Sequence, residues 1–281
     1  MKKIAISLFK KFFSYQKIYK FIDKLIDIYS IDVNSLYYNK KGILKFQNEF
    51  VSGEHYVIDK VLTKILTNDN VIIFDVGANV GNYSISIVNH LIVQKVYSFE
   101  PNPITFEQLK NNTKSFKNIH VINAGLGDKN AAMEIYTYKD EQTTEHASLY
   151  KTVLTELHKK QEIDSINVNI YTIDSFCNKE NINQIDFLKI DTEGHEFAAL
   201  EGAKEMLNND KIKIIQFEFN EMNVISRVFL KDFYEILSDF NIFRMDSNRL
   251  IYLPVYYPSY EIFQFQNFLA IHKNIDIKNI L

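Results

Sequence analysis

The stretch that most limits how this chain can fold is "IIFDVGANVGNYS", residues 72–84. An apolar run meets Asp75-Val76-Gly77-Ala78-Asn79-Val80-Gly81 and resumes as an amphipathic segment. A strand that turns through glycines into a helix places the turn at the carboxyl edge of a parallel sheet, where nucleotide-like ligands sit. The rest of the chain repeats that rhythm. Strands are expected at 71–76, 95–100, 118–123, 186–191 and 212–219. Helices are expected at about 80–90, 103–116 and 196–207, and from the fifth strand to about 240. Such alternation implies right-handed crossovers and a parallel sheet. Residues 139–167 read as an irregular or partly helical excursion on the ligand side, and the carboxyl-terminal part as further strands that include a hairpin.

The strand ends carry polar residues: Asp75, Glu100, residues 125–128, Asp191, then Glu218 and Asn220. Glu100 follows Gly77 by 23 residues, the separation at which a carboxylate accepts hydrogen bonds from ribose hydroxyls. The dinucleotide pattern G-x-G-x-x-G needs its second glycine so that backbone can approach a pyrophosphate. Here that position is Asn79. The pattern therefore points to an adenosine without phosphates, and Asp75 would attract an ammonium and repel a phosphate. S-adenosylmethionine meets both conditions; NAD is the competing cofactor.

Composition narrows the class further. With 281 residues, 46% of them apolar, the chain can bury a full α/β core. A net charge of -3 supplies no basic field for nucleic acid. The single cysteine, Cys177, fits a reducing compartment. No apolar run nears the roughly 20 residues that span a bilayer, and the six-residue run "IAISLF" is short for a signal core of about 7–15. A cytoplasmic protein is expected, with peripheral contact at the inner face of the membrane as an open option. That option comes from residues 1–30, where Ala5, Leu8, Phe12, Tyr15, Tyr19, Ile22, Ile26 and Tyr29 form an apolar stripe opposite Lys3, Lys10, Lys17 and Lys24. The stripe could face the main domain, a second copy or a lipid surface. Residues 1–50 are expected to form an amino-terminal helical extension and residues 51–281 the catalytic domain.

"FDVGANVGNYS", "YSFEPNPITFEQLKNN", "AGLGD", "YTIDSF" and "IDFLKIDTEGHEFAALEGA", in that order, resemble the FkbM family of S-adenosylmethionine-dependent methyltransferases. The resemblance covers about residues 53–273. It implies an α/β class I methyltransferase (Rossmann-like) fold: a mostly parallel seven-stranded sheet, the last strand antiparallel, with helices on both faces. It also implies O-methylation of hydroxyls on sugars, polyketides or related cell-surface compounds. Carried over by position, Gly77, Asn79 and Gly81 would hold the methionine end, Glu100 the ribose, Asn102 its neighbourhood, and Gly125 and Leu126 the adenine.

Methyl transfer to a hydroxyl needs a base for the hydroxyl proton. "KIDTEGHE" offers Asp191 at a strand end and His195 in the next turn. Glu196 reads instead as a helix-capping residue. Asp191 with Glu218 or Asn220 does not have the spacing of a dedicated metal cage, and no metal is assigned. The acceptor is expected to be a small molecule or glycan, bordered by His146, Ser148 and Tyr150 on one side and Glu54, His55 and Tyr56 on the other. Two other readings stay open: a non-catalytic membrane- or partner-binding module on the same scaffold, and a nucleic-acid methyltransferase.

Overall fold

The computed structural model describes residues 14–138, 148–157 and 163–278. By internal contacts the chain divides into Met1–Lys41 and Gly42–Leu281. The division falls nine residues before the expected boundary at 50. In the first unit, α1 (Tyr15–Tyr29) starts where the Ser14 hydroxyl accepts the Lys17 amide. It ends at Ser30 in the left-handed conformation. A second helix, α2 (Val33–Lys40), begins where Asp32 accepts the Ser35 amide at 3.1 Å and the Ser35 hydroxyl at 2.5 Å. The expected helix over residues 1–30 lies outside the described residues up to 13.

The second unit is built on a sheet of eight strands. In chain order the strands of this unit are β1 (Ile72–Val76), β2 (Lys95–Phe99), β3 (Ile119–Ile122), β4 (Gly125–Leu126), β5 (Ala131–Tyr138), β6 (Ile163–Tyr171), β7 (Ile185–Ile190), β8 (Ile212–Phe219), β9 (Phe240–Asp246), β10 (Arg249–Tyr252) and β11 (Gln266–His272). The large sheet runs β10-β9-β11-β8-β7-β1-β2-β3, and β4-β6-β5 form a small second sheet. Strands β1, β2, β3, β7 and β8 pair in parallel, while β11 is antiparallel to both β8 and β9. This is the class I methyltransferase arrangement with one strand more than the seven expected. The extra strand, β10, is the outer arm of the β9–β10 hairpin.

Period-two alternation distributes the core over both faces. On one face Phe74, Leu188, Ile190 and Phe217 meet α5 (Ile173–Glu180), α6 (Glu196–Glu201), α7 (Lys204–Asn208) and α9 (Leu230–Ile236). On the other, Ile73, Val96, Phe187 and Ile214 meet α3 (Asn82–His90) and a helical run over residues 54–65 whose middle, Val57–Leu62, is a π-helix. Two helices expected to be continuous are broken. Residues 196–208 split at Gly202, where a Cβ would lie 2.1 Å from the Gly127 carbonyl oxygen; the backbones meet there, and α6 stops. After β8, Arg227 adopts φ 58° between α8 (Met222–Ser226) and α9. Residues 163–167, expected to be irregular, are strand, because residues 163–170 of β6 pair with β5 from Tyr138↔Ile163 to Ala131↔Ile170. Pro103–Thr113 is α4, started at Pro103 after the Asn102 cap. Among the described residues, no helix is long and apolar enough to cross a membrane.

Candidate active site

Register puts the polar strand ends side by side. Val76 pairs with Phe99 on one side and Ile190 on the other, and Ile190 pairs with Phe217. The next residues, Gly77, Glu100, Asp191 and Glu218, therefore share one edge of the sheet. They line a cleft of about 980 Å³.

The turn after β1 is fixed by its own hydrogen bonds. Gly77 and Ala78 both donate their amides to the Phe99 carbonyl, at 3.0 and 2.9 Å, and Gly81 donates to the Ala78 carbonyl at 2.8 Å. The Asn79 amide donates to Glu100 Oε2 at 3.1 Å, and the Asn102 amide to Oε1 at 2.8 Å. These amides are spent inside the chain, so the turn is not a nest of free N–H groups for a phosphate. Gly77 has φ 80°, and a Cβ there would stand 1.8 Å from the Asp191 carbonyl oxygen. Only glycine lets the β1 and β7 loops approach this closely. Asn79 itself takes φ 48°, a conformation asparagine tolerates better than most residues.

Glu100 is buried, and burial raises its pKa to about 7 against the opposing pull of the Asn102 and Asn79 amides. Its acceptor capacity toward the cleft grows as it ionises, which suits hydroxyl donors. Gly125 and Leu126, on β4, also line the cleft. Asp75, Gly81 and Asn102 do not. Asp75 is fully buried, accepts the Ser84 hydroxyl at 2.6 Å and lies 3.6 Å from Lys189 Nζ. Its carboxylate serves the interior, where the sequence had placed a ligand contact. Asn102 caps α4, accepting the Ile104 amide at 3.0 Å.

Opposite the turn, charge is concentrated. Lys189 is buried and pairs with Asp191 at 3.1 Å. Burial alone would lower its pKa, but Asp191, Asp75 and Glu54 together outweigh burial and raise it, so it is a cation at every working pH. Its ammonium also stands 4.9 Å from the centre of the Tyr83 ring. Tyr83 donates its hydroxyl to Gln216 Oε1 at 2.9 Å, and Gln216 donates to Glu54 Oε1 at 3.1 Å. Glu54 and Glu218 both have raised pKa values, first through burial and then, for each, through the Asp191 charge. The Asn220 side-chain amide donates to Glu218. Asp191 is the open member, with its side chain 37% exposed.

His195 is arranged differently. Its Nδ1 faces the Tyr150 hydroxyl at 3.2 Å, its Nε2 is buried without a hydrogen-bond partner among the described residues, and burial lowers its pKa to about 4. At neutral pH it is an uncharged ring against Gly127. Glu196 Oε1 accepts the Thr192 amide at 2.8 Å, the Thr192 hydroxyl at 3.1 Å and the Gly194 amide at 3.1 Å, so it ties the turn that carries Asp191. Ser148 donates its hydroxyl to the Glu193 carbonyl at 3.0 Å on the outer side of the same turn. His146 lies outside the described residues.

Sequence reading passed over Lys189, Tyr83 and Gln216. Lys189 left one signal: a lysine in the otherwise apolar "FLKI", every residue of which is buried, requires a partner charge. Tyr83 and Gln216 left none, since nothing local marks residues 133 positions apart as hydrogen-bonded.

Residues 75–242 match the methyltransferase FkbM domain. The chain belongs to the FkbM methyltransferase family. Its relatives are distant: it is 25% identical over 172 residues to Methyltransferase 1 of Beauveria bassiana, covering 56% of this chain and 68% of that one. It is 19% identical over 202 residues to the 2-O-methyltransferase NoeI of Sinorhizobium fredii, covering 66% and 82%. It is 24% identical over 164 residues to the hexuronic acid methyltransferase AglP of Haloferax volcanii, covering 58% and 62%. The FkbM-family chain is an S-adenosylmethionine-dependent methyltransferase. The cleft suits that donor: a buried carboxylate for hydroxyls, a turn without free phosphate-binding amides, and acidic side chains where a dinucleotide would bring more negative charge. When bound, the donor supplies a methyl group on a sulfonium, an electrophile that needs no activation by the protein.

Proposed function

We propose that the protein transfers the methyl group to a hydroxyl of a saccharide, or of a related cell-surface or secondary-metabolite acceptor, with Asp191 as the base. The observation that carries this reading is the position of Asp191: an accessible carboxylate at the end of β7, opening on the same cleft as Gly77 and Glu100. In this reading Gly77 and Asn79 border the methionine end, Glu100 takes the ribose hydroxyls, and Gly125 and Leu126 border the adenine. Lys189 holds the Asp191 carboxylate in place from behind. Asp191 then accepts the acceptor's hydroxyl proton while the cleft walls hold the oxygen in line; positioning of this kind contributes up to about 7–11 kcal/mol in the best cases. His195, uncharged and paired with Tyr150, shapes the wall and leaves the proton to Asp191.

The far side of the cleft supports a sugar-sized acceptor. Phe46 and Phe265 stand edge to face with ring centres 6.0 Å apart, and Asn48, His55 and Gln264 line the cleft beside them. Aromatic faces with polar neighbours are what a saccharide needs for stacking and hydrogen bonding. The relatives named as a 2-O-methyltransferase and a hexuronic acid methyltransferase lend the same support.

The test is incubation with methyl-labelled donor and extracts of nucleotide sugars and glycolipids, followed by identification of the labelled product. Asp191→Asn should lower turnover by about 10²–10⁴-fold, the usual contribution of a positioned base. Glu196→Gln should cost far less. Equal losses from the two would remove Asp191 from the role, and label appearing only in nucleic acid or in no product would overturn the acceptor class.

A further inference from the structure

Helix α1 has a feature that methyl transfer does not use. Nine of its fifteen residues are Ile, Leu, Phe or Tyr, and none of the fifteen is buried. At 100° per residue its six polar residues, Lys17, Lys20 and Lys24 among them, fall within an arc of about 120°, leaving an apolar face about half the circumference wide. Tyr15, Phe21 and Tyr29 on that face are 81%, 64% and 71% exposed. A strict two-helix seam would need only a narrow stripe. A helix of this length is about 22 Å long, too short to span a bilayer but suited to lying in its plane.

Charge decides which partner the face fits. Residues 1–41 contain nine lysines and three aspartates, a net +6, while the whole chain is -3, so residues 42–281 carry -9. The net positive charge is thus confined to the segment that carries the apolar face. We propose that α1 binds an anionic lipid surface, its apolar face at the level of the acyl boundary and Lys17, Lys20 and Lys24 among the headgroups. An in-plane amphipathic helix binds through buried apolar area together with attraction of its lysines to anionic lipid. Three tyrosines on the face strengthen the assignment, because an amphipathic ring with a hydroxyl is at home where one end is apolar and the other wet.

The experiment is flotation of the full chain with vesicles of phosphatidylcholine alone and of phosphatidylcholine containing phosphatidylglycerol. The chain should float with the anionic vesicles and be released by high salt. Replacing Lys17, Lys20 and Lys24 together with Gln should reduce partitioning on the order of a hundredfold, since each lysine near an anionic surface contributes about fivefold. Donor affinity, measured by calorimetry on the same variant, should stay unchanged and shows that it is folded. Equal partitioning into both vesicle types would overturn the proposal. So would absence of flotation accompanied by self-association that Phe21→Ser abolishes, which assigns the face to a second copy. Absence of flotation with a lower Tm for Phe21→Ser would also overturn it and assign the face to the chain's own core.

Discussion

The two walls of the cleft are held by different physics. The proposed donor wall, residues 77–80 with Glu100, is held by backbone amides that donate to Phe99, Ala78 and Glu100. The proposed reaction wall is held by buried charge: Lys189 sits among Asp75, Asp191 and Glu54, which come from three separate parts of the chain. Amide bonds within a turn depend on local geometry and change little with their surroundings. A buried cation among carboxylates is stable only while every partner is present. In stability, the donor wall should therefore tolerate electrostatic change and fail sterically, whereas the reaction wall should do the reverse.

The largest stability effect should come from Lys189→Met. It removes the cation and leaves buried Asp75 with the Ser84 hydroxyl as its remaining partner among the described residues, a loss of about 3–5 kcal/mol in denaturant unfolding. Adding Asp75→Asn should restore part of that loss; no restoration would mean that the lysine acts through packing and the contrast between the walls is wrong. Next is Gly77→Ala. The positive φ and the overlap with the Asp191 carbonyl should together cost about 3 kcal/mol, with donor affinity falling alongside stability. A variant that kept wild-type stability would show that the two loops can part freely.

A smaller effect concerns Glu100. Its pKa is raised to about 7 by burial, and in the proposed reading it is the ionised carboxylate that accepts the donor's hydroxyls. Donor affinity should therefore rise with pH and level off above 7, with about a tenfold loss for each unit below it. Calorimetry across that range reads it directly, and a flat profile would detach Glu100 from the donor. The smallest effect belongs to Glu196, also raised to about 7 by burial. Between its ordinary value near 4.5 and 7 the unfolded chain releases a proton that the folded chain keeps, so this group's stabilisation is full below 4.5 and is lost as pH rises through 7. Glu196→Gln keeps the acceptor for Thr192 and Gly194 and should flatten that slope; an unchanged slope would locate the titration in the other buried carboxyls.

The far side of the cleft differs in one more respect. Leu44, Phe46, Asn48 and Glu49 line the cleft, although the sequence reading placed residues up to 50 in a separate extension. They reach it through long-range contacts: the Leu44 amide donates to the Phe265 carbonyl at 2.8 Å, and Lys45 pairs with Asp246 at 2.9 Å. No periodicity in residues 42–50 announces those partners some two hundred positions away.

What the sequence determined by itself was whatever depends on neighbours along the chain: the strand–turn–helix at residues 72–90, the order of parallel strands, the Asn79 that turns the cofactor reading away from a diphosphate, and the polar residue at each strand end. These follow from periodicity, turn chemistry and the fixed pleat of a strand, all of which act over a few residues. Tertiary structure alone decided that Asp75 faces Lys189 and not the cleft, that His195 is uncharged beside Tyr150, that β10 adds an eighth strand, and that Glu54, Tyr83 and Gln216 form one chain of hydrogen bonds. Burial and charge pairing depend on which distant segments meet, and that is fixed only when the sheet is assembled.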